Sequence, residues 1–171
     1  MAARDMLLDN IPVPRLDVVK GVVTDFIENR PSDQLGLILF TSQAYIQSPL
    51  TFDRSAVGRL LQESEIGIIE DSATAICDAI GLSVLHLRRR HDNGRVLVLL
   101  TDEVNNAGVL SPQQAGQLAR SENIRIYVIG MSPDSDKETT RYSSLLVAKP
   151  SADLDENGLT RIAQSTGGRY F

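Results

Sequence analysis

At 171 residues, 42% of them hydrophobic, the chain is long enough to bury a core and is expected to form one domain over 1–171, since domains commonly run about 100 to 150 residues. A net charge of −5 opposes polyanions and removes nucleic acid from the expected partners. The single cysteine, Cys77, excludes an intrachain disulfide and a thiolate zinc site, and no run approaches the ~18 apolar residues that span a bilayer, so the chain is expected to be soluble.

Leu16, Val19, Val23 and Phe26 recur at helical spacing between Pro14 and Pro31 and predict an amphipathic first helix with one buried stripe. Residues 35–40 (LGLILF) read as a short buried strand, and 44–48 (AYIQS) return beside it as an edge strand stopped by Pro49. Asp53 is placed to cap a short helix through Leu61. Thr74 is expected to open a longer one that buries Ile76, Ile80, Val84 and Leu87 on one face.

The run 95–106 (RVLVLLTDEVNN) then ends an apolar strand abruptly in a carboxylate and amides. A strand apolar on both faces belongs inside a parallel sheet covered by helices, and such sheets bind ligands at the carboxyl ends of their strands. Asp102 stands at that edge. Ser111 and Pro112 start the next helix, 124–129 (IRIYVI) form a third buried strand, and a last helix at 156–165 leads through Gly167 and Gly168 into Arg169, Tyr170 and Phe171. The order αββααβαβαβ predicts an α/β fold, doubly wound, with a mainly parallel sheet flanked by helices. Residues 132–153 break this rhythm, as a mobile surface loop or a partner-contacting one.

Taken together, 99–108 (LLTDEVNNAG), 71–81 (DSATAICDAIG) and 48–53 (SPLTFD) resemble a von Willebrand factor A domain, most closely the bacterial aerotolerance-related (Bat-type) branch, and the resemblance runs in order along the chain. It implies a Rossmann-like sheet and a metal-ion-dependent adhesion site with three parts. Those are an Asp-x-Ser-x-Ser motif after the first strand, a Thr from a later loop and an Asp after the fourth strand. Thr74 matches the second part and Asp102 the third. Asp71, Glu103, Asn105 and Asn106 are candidates for the surrounding rim. Glu103 replaces the family's usual glycine, and its carboxylate either faces solvent, repels an acidic partner or lends the metal an oxygen.

The first part of the motif is missing. Ala2, Ala3, Arg4 and Asp5 resemble the segment that follows it, so the chain is expected to start just after those ligands, and the fold to lack its first, central strand. Met6, Leu7 and Leu8 are too short a run to replace that strand. Losing five or six buried side chains at roughly 1.5 to 3 kcal/mol each removes about 10 kcal/mol, a typical domain's whole stability. Three remedies are open: direct pairing of the flanking strands, a strand from a second copy, or an upstream segment. Open edges also favour self-association.

As the resemblance implies, the complete domain would hold Mg2+ or Mn2+ and leave one coordination position for an acidic side chain of a protein partner. With only Thr74 and Asp102 matched, metal binding by this chain is expected to be weak or absent. Without the family, Asp102 reads as a loop cap and Thr74 as a helix N-cap. Asp78 reads as a first-turn carboxylate favoured by the helix dipole, and Arg88, Arg89 and Arg90, bracketed by His86 and His91, as a solvated helix end. Cys77 reads as a buried small residue.

The competing class is a hydrolase or phosphatase-like enzyme on the same fold. The chain has no Gly-x-Gly-x-x-Gly, no phosphate-loop motif and no nucleophile elbow, and Asp102 lacks a second acid or base that spacing identifies. The expected function is therefore a protein–protein interaction module without catalysis. Bat-type relatives are often tethered to the bacterial inner membrane, so the parent protein is expected at that membrane or the cell envelope.

Overall fold

A computed structural model describes residues 6–8, 11–13, 15–64, 73–90, 94–102, 104–131 and 156–171. Helix α1 (Arg15–Glu28) is followed by β3 (Leu35–Phe40), β4 (Ala44–Thr51), α2 (Arg54–Gln62), α3 (Ile76–Leu87), β5 (Val96–Thr101), α4 (Pro112–Ser121), β6 (Arg125–Gly130) and α5 (Glu156–Ser165), after the short strands β1 (Met6–Leu8) and β2 (Ile11–Val13). The α/β alternation expected from β3 onward is therefore present.

The parallel core of the sheet is β5 beside β6, in register from Val96 opposite Arg125 to Thr101 opposite Gly130. Residues 169–171 extend it: the Val128 N–H donates to Arg169 O at 2.9 Å, and the Phe171 N–H donates to Val128 O at 2.8 Å. β3 and β4 form an antiparallel hairpin. Among the described residues no strand pairs with the second edge of β5, and β3 does not join it. The place of the central strand is open in this way, and Val96, at the start of β5, is 42% exposed.

Helices α3, α4 and α5 cover the β5–β6 pair. Ile76, Cys77, Ile80 and Val84 of α3 pack with Leu99, Ile126 and Val128 of the strands, and with Ala115, Ala119, Leu159 and Ile162 of the neighbouring helices. Alanine and Gly116 at the α4 contact let that helix sit close. Cys77 is fully buried, as expected of a small core residue. A second, smaller cluster joins Ile27 of α1 to Val57 and Leu61 of α2, with Leu35 and Leu37 of β3 against it.

Four local expectations are corrected. The buried stripe of α1 runs through Val19 and Ile27, while Phe26 is turned outward over the Arg30 guanidinium, 5.0 Å from the ring centre. β4 does not stop at Pro49 but continues to Thr51, with register shifts in β3 opposite it. Proline lacks a ladder donor, and exposed on this irregular stretch it costs little. Residues 6–8 and 11–13 do form strands, but they pair antiparallel only with each other. Leu87 is half-buried, at the frayed end of the α3 face. The stretch 132–153, and His91, lie outside the described residues.

Helix starts follow their caps. Ser111 and Gln114 make a reciprocal capping box at α4, with Pro112 in the first turn. At α2, Asp53 accepts from the Ser55 hydroxyl at 2.7 Å and the Ala56 N–H at 3.0 Å. The Ser55 hydroxyl foremost, then the Ala56 N–H, hold the Asp53 carboxyl below its usual 3.8. A lowered folded-state pKa gives stability that is present above 3.8 and is lost as pH falls through the folded value. The melting-temperature gap between the parent chain and Asp53→Ala should therefore be full near neutrality and close under acid; a gap constant with pH would show that the charged cap contributes nothing.

Gly168 lies against the Ile126 backbone, where an added Cβ has no room. Gly168→Ala must push the C-terminal strand off β6. Urea melts should show a loss of about 1–3 kcal/mol or more, and an unchanged midpoint would mean that this segment is not bound as described.

Candidate functional site

The apolar run of β5 ends at Thr101, which is buried, and Asp102 follows half-buried at the carboxyl end of the strand. Thr74 is buried just before α3. It does not cap the helix: the cap position is Ala75, which makes no side-chain cap bond. Instead the loop after β5 supplies the acceptors. Asn106 Oδ1 accepts from the Thr74 N–H at 2.6 Å, and Asn105 Oδ1 accepts from the Cys77 N–H at 2.9 Å.

The pairing is reciprocal. Thr74 O accepts from the N–H groups of Asn106 at 3.1 Å and Ala107 at 3.2 Å. Asp78 completes the join, its carboxylate accepting from the N–H groups of Val109 at 3.0 Å and Leu110 at 2.9 Å. Asp78 is a first-turn residue of α3, as expected, and these loop bonds are a further task of its carboxylate. Gly108, at φ +94°, lets the loop pass, since a Cβ there would lie 2.7 Å from that carboxylate.

Thr41, after β3, adds a third strand end. Its carbonyl accepts from the Ala75 N–H at 2.7 Å, while its hydroxyl oxygen is buried without a hydrogen-bond partner among the described residues. The Met131 N–H donates to Thr101 O at 2.9 Å, so β6 ends at the same rim. Of the predicted site residues, the structure thus bonds Thr74 directly to Asn106, with Asn105 on the first turn of the adjoining helix at Cys77. Asp102 stands four residues before Asn106, a separation that extended chain spans in at most about 14 Å. Asp71 and Glu103 lie outside the described residues.

Sequence reading missed two contributors. Thr41 has no motif of its own, and the grip of Asp78 spans about thirty residues of chain, beyond any helical period. The cavity beside Asn105, lined also by Ile76, Cys77 and Pro112, holds about 10 Å³. That is no more than roughly one water.

The von Willebrand factor type A domain family matches residues 9–171. The chain belongs to that family. A membrane-spanning protein from Vibrio fischeri is 40% identical, with a TM-score of 0.50, covering 100% of this chain and 83% of that one. An aerotolerance-related membrane protein from Bacteroides fragilis shares the fold at a TM-score of 0.73 and 24% identity, covering 99% and 86% of the two chains. Proximal thread matrix protein 1 from the mussel byssus, solved with a zinc-occupied metal-ion-dependent adhesion motif, has a TM-score of 0.68 at 22% identity over 90% of this chain and 35% of that one. The chain spans about half (47%) of a curated relative from Borreliella burgdorferi, with 28% identity over 160 residues. As a VWA domain the chain has its expected α/β architecture, and among the described residues no helix is long and apolar enough to cross a membrane.

The joint between α3 and the loop after β5 should behave as one unit. Asn106→Ala leaves the buried Thr74 N–H without its acceptor and should cost about 1–3 kcal/mol, whereas Asn106→Asp keeps an acceptor oxygen and should retain most of that stability. Equal losses in thermal denaturation would show that the acceptor is not what holds Thr74.

Proposed function

We propose that this VWA domain, extending over 1–171, is a protein–protein interaction module whose rim holds a divalent cation through Asp102 and Thr74. The observation that carries the reading is the loop after β5 bonded to Thr74, which ties both family-matched residues to one edge of the sheet. The available donors fit a hard cation: the Asp102 carboxylate and the hydroxyls of Thr74 and Thr41 are all oxygen ligands, the kind Mg2+ and Mn2+ take. Thr41 offers a buried hydroxyl that has no hydrogen-bond partner among the described residues. The mussel protein's zinc is a precedent for a divalent ion in this family.

Affinity should be low. Among the described residues no three His, Cys, Asp or Glu side chains converge, so charge neutralisation rests on one carboxylate. A cation held by few protein oxygens keeps waters, and an acidic side chain of a partner can replace one of them. Asn105 and Asn106 act as the brace of the site, their side-chain oxygens spent on α3 backbone donors. The shallow rim suits a protein surface better than an enclosed substrate, and the module binds without catalysis. The open edge of β5 is a second place where copies of the chain can associate. Because two similar proteins are described as membrane proteins, we place the parent protein at the bacterial inner membrane or cell envelope.

Titration of the chain with Mn2+, followed by electron paramagnetic resonance, should give weak binding on the order of 1 mM. Asp102→Ala should abolish it and Thr74→Val weaken it, both with folding intact by circular dichroism. Binding unchanged in Asp102→Ala, or no binding by the parent chain at millimolar metal, would remove the reading.

A further inference from the structure

The chain is acidic overall, yet six of its arginines gather at the end of the fold opposite the rim. α3 begins at the rim and runs away from it, so Arg88, Arg89 and Arg90, at its C-terminus, mark the far end. All three are exposed. Arg95 immediately precedes β5, the strand whose other end carries Asp102, and its carbonyl accepts from the Arg125 N–H at 3.1 Å. Arg120, in the last turn of α4, lines one groove with Arg125. That groove, about 510 Å³, is completed by Asn123, Gln164, Ser165 and Thr166.

Little acid offsets them. On the elements of this half, Glu122 lies at the arginine end, 4.0 Å from the Arg95 guanidinium, whereas Asp78 and Asp102 belong to the rim and Glu156 starts α5 at the end away from the groove. On the α1–α2 side, Arg30 pairs with Asp33 at 3.4 Å, and the Arg54 guanidinium is tied to the Glu28 backbone carbonyl at 3.0 Å. Helix dipoles account for cations at the C-termini of α3 and α4. They do not account for Arg95, which precedes β5, or for Arg125, the first residue of β6.

We propose that this end is a docking face for an anionic lipid surface. Among the described residues of this half, a patch of six cations and one carboxylate sets the field within a Debye length, about 8–10 Å, while more distant negative charge is screened. A flat surface meets only this end; a flexible polyanion would also meet the acidic remainder. Among the described residues the cluster has no aromatic side chain on which bases could stack, and it carries two exposed apolar side chains, Leu85 at 44% and Val96 at 42%, suited to the headgroup boundary. The groove between Arg120 and Arg125 offers polar donors to a headgroup phosphate. The inference uses neither Asp102 nor a metal, so it stands or falls separately from the rim.

The test is flotation of the 171-residue chain with vesicles containing phosphatidylglycerol, against vesicles of phosphatidylcholine alone. The chain should float only with the anionic vesicles and be released by high salt. Each arginine near the surface is worth about fivefold in partition, so R88Q/R89Q/R90Q should lose about a hundredfold. K20Q/R59Q/R161Q, which removes cations elsewhere, should leave partition within a few-fold of the parent; circular dichroism checks that both variants fold. Equal binding to both vesicle types, equal loss in both triple variants, or capture of single-stranded RNA in place of vesicles would overturn the proposal.

Discussion

The backbone donors at the start of α3 have to be satisfied, and the chain meets that demand from across the fold. A helix leaves its first N–H groups without internal partners, and a buried one cannot turn to water for them. Most helices solve this locally with a capping side chain, as α2 and α4 do here. α3 does not. Its cap position is an alanine, and the acceptors come from Asn105 and Asn106, about thirty residues away. Asp78 returns the bond by holding the other limb of that loop. Because the exchange runs in both directions, neither the helix nor the loop can shift without leaving buried polar groups unpaired. The position of the rim follows from that lock.

A second constraint is the unpaired edge of β5. Its partner edge is satisfied by β6, and the helices above are close-packed on Leu99 and Val128, so this half carries its own core. The hairpin of β3 and β4 belongs to a different cluster with α1 and α2. What joins the halves at the rim is the Thr41 carbonyl on the Ala75 N–H, and Phe40 packed against the larger core. A row of strand donors and acceptors facing a neighbouring hairpin is a template for one more strand.

Much of this was legible in the residues, and the exceptions have a common cause. β3 and α5 have the predicted bounds, because an unbroken apolar run and a helical stripe are local signals. The Ser111–Pro112 start was visible for the same reason. Phe26 shows where periodicity fails: it lies on the expected stripe, but a ring over a guanidinium is as well placed outside as a valine is inside. Pro49 was read as a stop, although an exposed strand can carry a residue with no donor. The site was half visible. Asp102 was visible as the acid that ends the β5 run and Thr74 through the resemblance, whereas the brace of Asn105, Asn106 and Asp78 depends on contacts between distant segments. Nothing in the spacing of Asn105 and Asn106 distinguishes a side-chain acceptor for a remote helix from an ordinary turn.

The same brace explains how carboxylates at one edge can have different tasks. Asp78 is committed to two backbone N–H groups, and removing its charge would free the loop that carries Asn106. Asp102 follows the last residue of β5, where its position is fixed by the strand, and it is the acid proposed above for the cation. Rigidity at this edge is bought by hydrogen bonds that leave the far edge unconstrained by them. There, the helix ends and strand starts collect arginines with few matching acids, and selection can alter that surface without disturbing the lock. The two proposed surfaces, the rim at the strand ends and the arginine face at the strand starts, therefore rest on separate sets of contacts.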